Sequence, residues 1–263
     1  MGSEIVIAFT LVLLAGLATA VGGAIAVSRA TISPVFLSTS LGLSAGVMLY
    51  VSFVELLGEA ENTLTEAFGS SGPWWTMAGF FGGIVLIGVI DRLVPAVINP
   101  HEMSGADEAS DVRRGQLMRT GVFTAGALAL HNFPEGFAVF LAALQDPTIA
   151  VPVVVAIAIH NIPEGIAVAV PVAYATGSRL TGFFYSLLAG LAEPVGALVG
   201  FVVLQAFVGP VAMAIAFAVV AGIMVFVSLD ELLPAARGFG HHHATIYGLV
   251  AGMGIMAAGL AAL

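Results

Sequence analysis

The length of its apolar runs is what most constrains this chain. Eight stretches, at 4–27, 35–57, 74–95, 118–144, 149–172, 180–205, 209–233 and 244–263, are long, apolar and poor in charge. A helix needs about 20 such residues to cross the hydrocarbon core of a bilayer. Water is missing there, so backbone polar groups must be satisfied within a helix or a closed barrel. Runs of this length without strict alternation select helices. The expectation is an all-α polytopic membrane protein with eight transmembrane helices in a single domain, 1–263. A polar cytosolic loop is expected near 96–117 and an acidic loop near 58–73. Composition agrees: 9% of residues are charged, where a soluble domain carries about 25%.

The few charges orient the chain. Its seven basic residues are all arginine: Arg29, Arg92, Arg113, Arg114, Arg119, Arg179 and Arg237. Each falls at or beside an odd-numbered loop. The positive-inside rule then puts those loops in the cytosol and both termini outside the cell (inner) membrane. Lysine is absent, which excludes a retinal Schiff base. Cysteine is also absent, which excludes disulfides and thiolate metal sites. A net charge of −9 speaks against nucleic acid as a partner. The first span lacks a positive n-region and is expected to be retained rather than cleaved. Glu59, Glu61, Glu66 and Asp146 make the outer surface acidic. They form either an anionic mouth that concentrates cations or a merely solvated edge.

One string occurs twice within these runs. His131-Asn132-Phe133-Pro134-Glu135-Gly136 lies in the fourth span, and His160-Asn161-Ile162-Pro163-Glu164-Gly165 follows in the fifth. Residues i and i+4 share a helix face. Each string therefore projects an imidazole, an amide and a carboxylate to one side. Such groups are costly at membrane depth and mark sites or paths there. Imidazole with carboxylate suits zinc, iron or manganese, and the doubled set suggests two ions sharing carboxylates. Each proline leaves the carbonyl four residues back without its helical donor. A single copy would also fit a kinked helix with internally bonded polar groups. Two copies on adjacent antiparallel spans are too costly for packing alone.

A second likeness links 45–57, at the end of the second span, with 221–233, at the end of the seventh. In the expected topology both likenesses relate spans of opposite direction. That is the pattern of an inverted repeat, with a site near the midplane. It implies a 3+2+3 arrangement around the fourth and fifth spans. Glu193-Pro194 repeats the theme of a carboxylate beside a proline. Met48 and its counterpart Met224 are soft ligand candidates or simple packing. Ser52, Glu55, Asp230 and Glu231 are candidates for a metal route; solvated helix ends are the plain alternative. The His241–His243 tract could bind metal, whereas His101, Glu102, Asp107, Glu108 and Asp111 read as a flexible polar loop.

Paired His-Asn-x-Pro-Glu-Gly strings within eight spans resemble the ZIP family of divalent metal transporters, closest to its prokaryotic zinc-transporting branch. Ala192-Glu193-Pro194-Val195-Gly196 also resembles that family's sixth-helix motif. The resemblance implies a mid-membrane binuclear site of His131, Asn132, Glu135, His160, Asn161, Glu164 and Glu193, joined by Met48. It implies transport into the cytosol, zinc first, with iron, manganese and cadmium as further candidates. It also implies a homodimer, an elevator-like shift of the fourth and fifth helices against the second and seventh, and no cofactor beyond the transported metal. The loop between the third and fourth spans is short and has one histidine, His101, where many members of the family carry a histidine-rich loop. The alternative from another class is a membrane-embedded di-metal enzyme. Helix bundles do build such sites, but their Glu-x-x-His signature and the His-Glu-x-x-His of zinc proteases are both absent.

Overall fold

Among the described residues there is helix and turn, and no strand. The computed structural model describes residues 2–28, 33–93, 147–207, 209–261 and, between 125 and 144, the residues 125–126, 128–129, 132–133, 135–137, 139–140 and 143–144. His131, Pro134, Asp146, the 96–117 loop, Arg29, Arg113, Arg114 and Arg119 lie outside the described residues. The helices are α1 (Gly2–Ser28), α2 (Pro34–Tyr50), α3 (Leu57–Phe68) and α4 (Gly72–Leu93). The described residues from 125 to 144 are helical and are termed α5. They are followed by α6 (Pro147–Thr176), α7 (Arg179–Gly190), α8 (Ala192–Phe207), α9 (Pro210–Val227), α10 (Leu233–Gly238) and α11 (His242–Ala261).

Among the described residues, six stretches are long and apolar enough to cross a bilayer. One of them, Pro34–Arg92, has 59 residues, roughly 90 Å of helix against a core of roughly 30 Å. It folds back on itself at Gly69, whose φ of 59° suits glycine alone among common residues. From there α3 packs on α4.

The acidic segment near 58–73 is therefore not a loop but mostly helix. Ala60 and Leu64, one turn apart, bury the inner face of α3, while Glu59, Glu61 and Glu66 stay exposed. Amphipathic spacing outweighed the polarity that suggested a loop. The run at 180–205 is likewise two helices, broken at Leu191. Pro194 cannot donate to the Gly190 carbonyl, so the α-helical ladder is interrupted there.

Side-chain size explains the packing. On α1, Val6, Ile7, Leu13, Leu14, Leu17 and Val21 are exposed, while Ala8, Ala15, Ala18 and Thr19 are buried. Lipid tails are as apolar as leucine, so large residues gain little by turning inward. Small residues facing inward let backbones approach. A Cβ on Gly46 would strike the backbone of Leu249, and one on Gly252 that of Leu43, which fixes α2 against α11. Gly83 against Val219 and Gly222 against Phe80 do the same for α4 and α9.

Two groups of helices result. In the first, α1, α6 and α7 pack on one another and α8 on α1. Close contacts of Gly136 with Glu193 and of Gly196 with Phe133 attach α5 to α8. In the second, α2 packs on α11 and α10, and α9 on α4 and α3. The two groups meet where α6 runs against α2 and α11.

Candidate metal centre

The described residues of the two repeated strings converge with Glu193 in the first group of helices. Asn132 and Glu135 come from α5, His160, Asn161 and Glu164 from α6, and Glu193 from the first turn of α8. All six residues are at most 2% exposed. Their helices can approach because the glycine closing each string touches a neighbouring backbone: Gly136 that of Glu193, Gly165 that of Thr19. Pro163 is accommodated within α6, which runs on as helix to Thr176.

The polar groups meet one another across helices. His160 Nε2 lies 3.1 Å from Glu135 Oε1. Asn161 Nδ2 donates to Glu193 Oε1 at 2.5 Å and to the Ala15 carbonyl at 3.0 Å. Asn132 Nδ2 donates to the Ala189 carbonyl at 3.2 Å, beside the break between α7 and α8. Ser44 on α2 donates to Glu164 Oε1 at 2.8 Å. Among the described residues no donor meets Asn132 Oδ1, Asn161 Oδ1 or Glu193 Oε2. Glu193 is within electrostatic reach of both Glu135 and Glu164. Like charges this close in a low dielectric repel strongly, and a cation brought among them would relieve that repulsion. Among the described residues no three His, Asp or Glu side chains already gather around one point. Glu135 is engaged with His160 and Glu193 with Asn161, and His131 lies outside the described residues.

The remaining candidates sit on the second group. Met48 on α2 is fully buried. Ser52 is buried too, but its hydroxyl returns to the Met48 carbonyl at 2.8 Å within its own helix. Glu55 is half-buried on a π-helical segment, Val51–Leu56. Asp230 and Glu231 are half-buried on a second π-helical segment, Ser228–Leu232. Single π turns inside α-helices are frequent at functional sites. Asp91 lies within electrostatic reach of Glu231, as do Asp230 and Glu164. Sequence reasoning missed Asp91 and Ser44. Asp91 could have been found as an acid near the end of a span, whereas Ser44, a serine among small residues, carries no such signal. His242 and His243 open α11, where His243 stacks on Tyr247 with centroids 6.2 Å apart.

Comparison with known proteins decides the family. The family described as "ZIP Zinc transporter" matches residues 98–259. The chain is 60% identical over 261 residues to the zinc transporter ZupT of Corynebacterium aurimucosum, covering 98% of each. It is 60% identical over 257 residues to that of Corynebacterium glutamicum, covering 96% of this chain and 97% of the relative. With that of Streptococcus mutans identity is 52% over 261 residues, 99% of this chain and 98% of the relative. The chain belongs to the ZIP family. It is thus a multi-pass membrane protein of a transporter family, not an enzyme, which removes the membrane-embedded di-metal enzyme as an alternative.

Proposed function

We propose that this ZIP protein carries zinc into the cytosol across the cell membrane through a binuclear site near mid-membrane, on α5, α6 and α8. One observation carries the reading: the His160 imidazole, the amides of Asn132 and Asn161 and the carboxylates of Glu135 and Glu164 are buried together with Glu193, although each is costly in a membrane. His131, Asn132, Glu135, His160, Asn161, Glu164 and Glu193 hold the ions. Met48 closes the site from α2. Zinc accepts nitrogen and oxygen donors of this kind. Iron, manganese and cadmium are competing cargo, because donor type alone separates such ions poorly. No cysteine is available to trap them.

The cycle uses eight spans arranged 3+2+3 as an inverted repeat, with both termini outside. Paired contacts support this. Gly16 on α1 and Gly190 on α7 touch each other's backbones. The contacts of Gly22 with Ile162 and Thr19 with Gly165 recur as Gly196 with Phe133 and Glu193 with Gly136. The recurrence keeps one register: Gly16, Thr19 and Gly22 correspond to Gly190, Glu193 and Gly196, and each string residue to its place in the other string. Residues 16, 19 and 23 of α1 meet 190, 186 and 183 of α7, so the two helices are antiparallel. A two-fold axis relating them lies across the helices, and for spanning helices that means in the membrane plane. The π-helical segments also match. Ser52 and Ser228, at equivalent places in the two halves, bond back to Met48 and Met224.

Equilibrium titration with zinc tests the site. The purified protein binds two ions per chain, and Glu164→Ala and Glu193→Ala weaken that binding by at least about tenfold. A single site unaffected by either substitution contradicts the proposal.

A further inference from the structure

Among the described residues, the hydrogen bond from Ser44 to Glu164 links the two groups of helices. Ser44 lies on α2, in the second group of helices, and Glu164 on α6, in the first. Both side chains are fully buried, and the bond measures 2.8 Å. Several other buried interhelical side-chain bonds among the described residues join helices of one group. Ser186 to the Thr19 carbonyl, Asn132 to that of Ala189 and Asn161 to Ala15 and Glu193 join members of the first. Ser38 to the Ala236 carbonyl joins members of the second.

A buried serine in a spanning helix ordinarily satisfies itself on the carbonyl four residues back. Ser52 and Ser228 do so. Ser44 instead donates across to a carboxylate. Met48 follows it one turn later on the same face. The matching stretch in the second half has Met224 and Ser228 in step with Met48 and Ser52, but Val220 where Ser44 stands. The hydroxyl therefore marks one half of the repeat. Glu135 faces the imidazole of His160, and Glu164 receives a hydroxyl from the other group of helices.

We propose that Ser44 is a positioning residue for Glu164, through which α2 sets how tightly the site holds its ion. This rests on the reading of Glu164 as a metal ligand. A hydroxyl donating to Oε1 is a charge-assisted bond that fixes the rotation of the carboxylate, and it leaves lone pairs directed at the ion. Without it the carboxylate loses one of the contacts that orient it, and the ion is held more weakly. The same bond ties α6 to α2, so its loss does not slow whatever movement separates them.

The test pairs transport with binding. In sealed vesicles, Ser44→Ala raises the KM for zinc about tenfold, the size expected for a lost charge-assisted bond, without lowering the maximal rate. A merely structural defect lowers the maximal rate and leaves KM alone. Equilibrium zinc affinity is then measured for Ser44→Ala, Glu164→Gln and the double variant. The proposal expects Ser44→Ala to weaken binding about tenfold alone, and less than about twofold in the Glu164→Gln background. Equal losses in both backgrounds, or no loss from Ser44→Ala while Glu164→Gln weakens binding, overturn the role of Ser44. Zinc affinity untouched by Glu164→Gln overturns the underlying reading of the site instead.

Discussion

Asn161 links three helices through one amide. Its two Nδ2 hydrogens go to the Ala15 carbonyl on α1 and to Glu193 on α8. Asn161→Asp removes both donors and sets a third charge against Glu193, which Glu135 and Glu164 already crowd. Leaving buried groups unsatisfied costs about 1–3 kcal/mol each. We predict that this variant unfolds in detergent at a clearly lower temperature than wild type, and that Asn161→Ala falls between the two. An unchanged midpoint for Asn161→Asp would show that the amide carries no structural load. At this scale much was legible in the sequence. His160, Asn161, Glu164, Asn132, Glu135 and Glu193 stand out because polar residues in apolar runs are expensive, and all six are buried together. The pairing was not legible, since it depends on how helices distant in sequence are rotated. Ser44 escaped for the same reason: a serine among small residues looks like packing until its hydrogen-bond partner is known.

Among the helices, contact is governed by glycine. Gly83 lies against the Val219 backbone, whereas Gly82, its neighbour, has open space where a Cβ would go. Gly83→Ala must push α4 from α9 and is expected to cost about 1–3 kcal/mol, as for other overpacked sites. Gly82→Ala is expected to be neutral or slightly stabilising, because alanine favours helix. Thermal unfolding of the two variants side by side checks this, and equal effects would remove the close approach as the cause. The apolar runs gave the main helices directly. Two departures came from local chemistry weaker than hydropathy. Pro194 breaks the helix at Leu191, and the spacing of Ala60 and Leu64 makes a helix of an acidic stretch.

For the whole molecule, the proposed topology puts α3 and the turn at Gly69 outside, and the start of α11 inside. The exposed arginines Arg92, Arg179 and Arg237 sit at helix ends on the proposed cytosolic side. The chain has no cysteine, so single cysteines can be placed without preparing a background. Ser70→Cys and His242→Cys are both at exposed positions. In intact cells a membrane-impermeant maleimide should label the first and spare the second. Labelling of both, or of His242→Cys alone, would contradict the orientation. The central claim is that the buried strings form the path of the metal. Its most direct test is zinc uptake into sealed vesicles carrying the purified protein, beside vesicles carrying Glu135→Ala or His160→Ala. The account predicts protein-dependent uptake that each substitution reduces by at least about tenfold, with folding intact. Undiminished uptake by both variants would mean that zinc crosses elsewhere in the molecule.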